Sequence, residues 1–260
     1  MPKSILRKGL PFRFEGSIQK RILTMTISCL LGMCLVISSV SYYIFRNYLQ
    51  HSLIQSTETN LQLLSDKINS SMNDIRQLAR FCQTNGDIAD YIARNPDPGS
   101  VLAVATYDRI AEEYNNNPSS SYVPRLAVIT GYHFLQIVTP TYSSTADLAQ
   151  EVPQLSFFEE LLNANSLSFS VGFIDDPFSR KERLVLPVIR PITYKFSSVQ
   201  GGFLFLEISP DLYTDALKLY SIAEDSTVYL TLGDHHYQYI DGSLSEISAD
   251  YTVLEDLSDS

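Results

Sequence analysis

The sequence predicts an α+β chain: a transmembrane helix that continues into a long stalk helix, then an antiparallel sheet, then the start of a second, smaller sheet. Three observations predict it. Ile22 to Ile44 contains no Asp, Glu, Lys, Arg or His. Met33 to Asn85 contains neither Gly nor Pro, the residues most costly to a helix interior. From Arg125 onward, apolar steps of three and four give way to alternation and short apolar runs bounded by turn residues.

The uncharged run is long enough to cross a bilayer, since about 23 residues rising about 1.5 Å each span roughly 34 Å. Thr24, Thr26, Ser28, Ser38, Ser39 and Ser41 fit within it, because each hydroxyl can bond a carbonyl one turn back on its own helix. A buried helix of a soluble protein would carry a polar stripe. A cleaved signal peptide would end in small residues, and here Tyr42, Tyr43, Ile44 and Phe45 follow instead. The run therefore reads as an uncleaved anchor, residues 22–44, behind a basic cytoplasmic tail, residues 1–21.

Orientation follows from charge. Lys3, Arg7, Lys8, Arg13, Lys20 and Arg21 precede the span, with Glu15 as the one acid. Positive flanks stay in the cytoplasm, so residues after about 45 are expected outside it. Those six cations and one acid contribute +5 to a net charge of −10, leaving −15 on the remainder. So acidic an exterior argues against nucleic acid or anionic lipid headgroups as its partners, while membrane lipid is the expected partner of the span. Cys29 and Cys34 lie inside the span and Cys82 is alone beyond it, so no disulfide framework supports the outer part.

Beyond the membrane, Ile54, Leu61, Leu64, Ile68, Met72, Ile75, Ala79 and Cys82 trace one helical stripe, and the helix is expected to end near Asn85 and Gly86. The stripe packs either on its own domain or on a second copy, as in a dimeric stalk. Residues 45–95 form this stalk region. After "NPDPGS", Val101 to Tyr114 reads as a further helix. "RLAVIT", "GYH" and "FLQIVTP" form a hairpin pattern. "PQLSFFEELLNAN" is a short helix with Phe157, Phe158, Leu161 and Leu162 as its apolar face.

Leu167, Phe169, Val171 and Phe173 alternate with Ser168, Ser170 and Gly172, which predicts a half-buried strand. "DDPFSRKE" reads as a polar turn, and "RLVLPVIRPITY" as a strand whose Pro187 and Pro191 favour an edge or a bulge. "GGFLFLEIS" is a buried strand. Ser209, Pro210 and Asp211 start a helix that runs to about Ile222. Val228 to Leu232 and Tyr237 to Ile240 then pair around Gly233 and Asp234, opening the second sheet.

This succession, ending in "VQGGFLFLEISPDLYTDAL" and "YLTLGDHHYQYIDG", resembles the extracytoplasmic double Cache sensor domains of bacterial receptors. The resemblance implies a PAS-like membrane-distal Cache domain over residues 96–210. A connecting helix and an incomplete membrane-proximal Cache domain would follow over residues 211–260. The N-terminal layout is most similar to sensor histidine kinases of Gram-positive two-component systems, whose kinase would lie beyond this chain and act on a cytoplasmic response regulator. Chemoreceptors and cyclic-dinucleotide enzymes carry the same outer domain. An anchored binding or adhesion protein without cytoplasmic output is the alternative from a different class.

No catalytic residue, metal site or cofactor is expected. The glycines make no G-x-G-x-x-G, G-x-x-x-x-G-K or G-x-S-x-G. Asp234, His235 and His236 read as a solvated turn, because adjacent residues on a strand end point to opposite faces. The resemblance implies a small-molecule pocket against the sheet, beneath a short helix. It places Phe157 and Phe158 at an aromatic pair that binds ligand, with Leu155 where amino-acid-binding members carry arginine. Asp176 and Arg125 complete the candidate site. Core packing is the alternative for the two phenylalanines, a turn position for Asp176 and a solvated surface position for Arg125.

Overall fold

The structure, a computed structural model, describes residues 18–164, 170–179, 181–194, 200–219 and 227–247. The chain divides into two compact units after Thr59. Six α-helices, three short 3-10 helices and eight strands lie among the described residues. The first helix, α1 (Ile18–Thr84), is 67 residues long and contributes to both units.

In the first unit, α1 is long and apolar enough to cross a membrane, and its described side chains are exposed. Three of its hydroxyls bond one turn back, as the sequence predicts. Thr24 Oγ1 donates to the Lys20 carbonyl, Thr26 Oγ1 to that of Ile22 and Ser39 Oγ to that of Leu35, each at 2.8 Å. No hydroxyl among these three is left unsatisfied in an apolar setting.

In the second unit, from Asn60, the α1 stripe turns inward and Leu64, Met72, Ile75, Leu78, Ala79 and Cys82 are buried. Asn85 ends α1 and caps the next helix, α2 (Gly86–Arg94), its side chain accepting from the Asp87 and Ile88 amides. This short helix was not expected. Asn95 closes it in the left-handed conformation, φ 42°. Ser100 Oγ accepts from the Ala103 amide to start α3 (Val101–Asn116).

Five antiparallel strands follow: β1 (Arg125–Ile129), β2 (Phe134–Val138), β3 (Ile174–Asp175), β4 (Leu184–Thr193) and β5 (Gln200–Ile208). Their order is β2-β1-β5-β4-β3, so the last strand in sequence fills the centre beside the first. This meets the expectation of an α+β fold built on an antiparallel sheet. The predicted strand over 167–173 does not form as such: residues 170–173 are turn and bend, β3 begins only at Ile174, and 167–169 lie outside the described residues. The physical reason is Gly172, whose φ of +67° breaks the extended backbone.

Pro187 and Pro191 sit in β4, which pairs with β5 along its length but meets β3 only at Leu184 and Val185. Among the described residues, the far side of β4 beyond that point has no strand to receive an N–H. A register shift between Ile192 and Thr193 completes the pattern.

The sheet has two apolar faces. Leu126, Val128, Leu186, Val188, Leu204, Leu206 and Ile208 pack on the side of α1, α2 and α3. Ala127, Ile129, Ile189, Phe203 and Phe205 form the opposite face, covered by the short helices α4 (Leu148–Glu151) and α5 (Phe158–Leu162). Each fully buried large side chain contributes about 1.5–3 kcal/mol, enough to hold both layers without a disulfide.

Next, α6 (Asp211–Leu219) starts as expected: the Asp211 amide donates to Ser209 Oγ at 3.2 Å, and Ser209 Oγ donates to Asp211 Oδ2 at 2.9 Å. Its continuation to Ile222 lies outside the described residues. The second sheet is β6 (Val228–Leu232), β7 (His235–Ile240) and β8 (Ser243–Ile247), in that order. β8 was not expected, because "SLSEI" is short and has only two apolar positions.

Candidate functional site

Arg125 opens β1 and is wholly buried, which corrects the surface alternative for this residue. The reason is its cross-strand partner, since the β1–β5 register places Arg125 directly opposite Glu207. Arg125 Nε donates to Glu207 Oε2 at 3.0 Å. Its Nη2 donates to the Tyr142 carbonyl at 2.8 Å and to Asp176 Oδ2 at 3.4 Å, and Nη1 to Ser144 Oγ at 3.4 Å. The guanidinium carbon lies 5.4 Å from the centroid of the Phe178 ring. Every nitrogen of the guanidinium is thus engaged within the protein.

Asp176 follows β3 and is 5% exposed, so the polar turn "DDPFSRKE" is not solvated throughout. Its Oδ1 accepts from the Phe178 amide at 2.8 Å and its amide donates to the Arg183 carbonyl at 2.7 Å. Asp175, by contrast, is exposed. The turn folds this way because the short Asp side chain can bond its own backbone two residues on while its other oxygen faces Arg125.

Glu207 is also wholly buried, and its Oε1 has no hydrogen-bond partner among the described residues. Burial pushes its carboxyl up to about 8; Arg125 opposes that rise and Asp176 adds to it. Two carboxyls therefore share one guanidinium in a dry setting, which favours a proton on Glu207 near neutral pH.

The aromatic candidates stand on the same sheet face. Phe158 is buried, its ring 5.0 Å from that of Phe203 in an edge contact, while Phe157 is half-buried beside the same apolar cluster. Phe178 meets Phe205 at 5.6 Å, again edge to face. The structure brings Arg125 and Asp176 into direct contact and puts Phe157 and Phe158 on the same layer. Sequence reasoning missed Glu207 and Phe178. A signal for Glu207 existed: it is the lone charge in "GGFLFLEIS", a run otherwise buried.

His235 and His236, at the start of β7, belong to the second sheet. His235 Nδ1 bonds Glu246 Oε1 at 2.8 Å and Nε2 bonds the Ser170 carbonyl at 3.0 Å. The bond to Glu246 raises the imidazole's pKa. Among the described residues no three His, Cys, Asp or Glu side chains gather as metal ligands.

No protein-family model matches the chain, and no curated protein does. Among solved structures, the chain is similar to the sensory domain of the Campylobacter jejuni chemoreceptor Tlp3 (CcmL) with isoleucine bound. The sequence identity is 11% and the TM-score 0.32, over 71% of this chain and 88% of that one. The ligand-binding domain of Campylobacter jejuni chemoreceptor Tlp3 in complex with 4-methylisoleucine is similar at 11% identity and a TM-score of 0.32, covering 70% and 86%. A likeness at that level carries nothing about ligand or output to this chain.

Proposed function

We propose that this chain is the ligand-sensing and transmembrane-signalling part of a bacterial receptor. The observation that carries this reading is α1: one helix runs from an apolar segment able to cross a membrane to the buried residues Ile75, Leu78 and Cys82 beside the sheet. A sheet whose packing changes on binding therefore acts on the same helix that enters the lipid. The basic tail is cytoplasmic and the sheets face outward, in the domain order given above. The output is a histidine kinase of a two-component system working through a response regulator, in a homodimer; a chemoreceptor output uses the same sensing unit.

The ligand is a small molecule on the face beneath α4 and α5, against Phe157 and Phe158, with Asp176 at its polar end. Arg125 positions Asp176 and Glu207 and offers a ligand carboxylate no free donor pair, which disfavours simple carboxylates as ligands. The ligand acts through unequal affinity for two states of the domain.

The test is a thermal-shift screen of the full chain in detergent against sugars, amines, organic acids and amino acids. A ligand at a hundred times its Kd stabilises by about 2.7 kcal/mol, on the order of 5–10 °C in Tm. Phe158→Ala and Asp176→Asn are expected to abolish that shift. A stabilising ligand whose effect survives both substitutions places the site elsewhere.

A further inference from the structure

Among the described residues, the buried cluster holds one more carboxyl than it has cations. Arg125 supplies a single positive charge, and four of its five N–H donors are committed to Glu207, Asp176, Ser144 and Tyr142. Asp176 and Glu207 are both buried beside it, so two ionised carboxylates would leave a net negative charge in a dry interior, the arrangement that proteins avoid most strongly. Glu207 Oε1 is the atom that shows the imbalance, being buried with no donor.

The groups facing Glu207 come from each element packed on it. They are Arg125 from β1, Asp176 from the turn after β3 and Pro187 opposite it on β4, while the Phe178 ring lies against Arg125. The Tyr142 carbonyl and Ser144 hydroxyl reach Arg125 from the segment after β2. Arg183 stands 4.6 Å over the Tyr142 ring. Within this set no further N–H or O–H reaches Glu207 Oε1, and the Glu207 and Asp176 side chains are near enough to share a proton.

We propose that Asp176 and Glu207 form a proton-binding site. One acidic proton held between these buried carboxyls beside Arg125 fixes the turn after β3, and its loss makes the sensor domain respond to the pH around it. The site shares Asp176 with the ligand reading above but needs no organic ligand, so its infrared signature is read in the ligand-free chain. Losing the proton sets two negative charges against each other. Asp176 is the partner able to yield, because it sits in a turn while Glu207 is clamped in the central strand. The same turn continues back through Ile174 to Phe173, whose amide donates to Tyr237 Oη at 2.8 Å, and to Ser170, whose carbonyl meets His235. Movement of Asp176 is thereby passed to β7 in the second sheet.

Burial pushes the Glu207 carboxyl up to about 8, and the titration midpoint is expected there. Carboxyls of ordinary acidity are ionised above about pH 6, so a carboxylic-acid C=O band in the infrared spectrum of the full chain at about pH 6.5 isolates the buried acid. The expected result is one such band, about nine-tenths intact one unit below the midpoint and about nine-tenths lost one unit above it, and absent from Glu207→Gln. Asp176→Asn, which removes the facing carboxylate, is expected to lower the midpoint and serves as the second variant if Glu207→Gln does not fold. No band in the wild-type chain at about pH 6.5, a band that titrates unchanged in Glu207→Gln, or an unmoved midpoint in Asp176→Asn overturns the proposal.

Discussion

Arg125 and Glu207 are set opposite each other by strand register, and Asp176 joins them from a turn. Removing the cation leaves two buried carboxyls without a counter-charge, so Arg125→Met is expected to lose about 3–5 kcal/mol in denaturant unfolding of the full chain. Glu207 also gives stability a pH dependence. Its folded value, about 8, lies above the ordinary 4.5, so the folded state binds the proton more tightly. Stability is then fully present below the ordinary value, falls as pH rises between the two, and levels off above the folded value. Tm measured across that window should fall more steeply for the wild-type chain than for Glu207→Gln. At this scale the sequence was partly legible. Asp176 and Arg125 could be named as polar residues at strand ends, but their burial depends on the pairing of Arg125 with Glu207, 82 positions away. Glu207 was readable as an acid inside an apolar run, a pattern with few explanations other than a buried partner.

Among elements, α1 and the segment before β3 make opposite points. The α1 stripe of steps three and four is local information, and the burial of Leu64, Met72, Ile75, Ala79 and Cys82 follows it. Leu78→Ala, inside that core, should cost about 2–5 kcal/mol, whereas Leu61→Ala, half-exposed on the same helix, should stay within about 0.5 kcal/mol. The alternation over 167–173 misled because a period of two describes side chains and not the backbone that carries them. Gly172 takes a positive φ, and a side chain there would collide with Tyr237 and His235 of β7. Gly172→Ala should therefore loosen the second sheet from the first, read as faster amide exchange over β7 with little change in β5. The missed α2 and β8 are short elements whose formation depends on a cap and on a neighbouring strand, neither of which periodicity reveals.

For the whole molecule, order and class were legible because long uncharged runs, prolines and strand alternation each report a local physical constraint. Topology was legible only through resemblance: that β5 returns to lie beside β1 is a long-range fact about closing the sheet. The central claim is that one apolar helix places both sheets outside the cytoplasm. It is tested most directly by cysteine labelling on intact cells, with Cys29, Cys34 and Cys82 replaced and a single cysteine put at Tyr132, which is 80% exposed in the β1–β2 turn, or at Lys3. A membrane-impermeant maleimide should modify the Tyr132→Cys chain on intact cells and the Lys3→Cys chain only after permeabilisation. The reverse pattern, with Tyr132→Cys protected until the membrane is opened, contradicts the account.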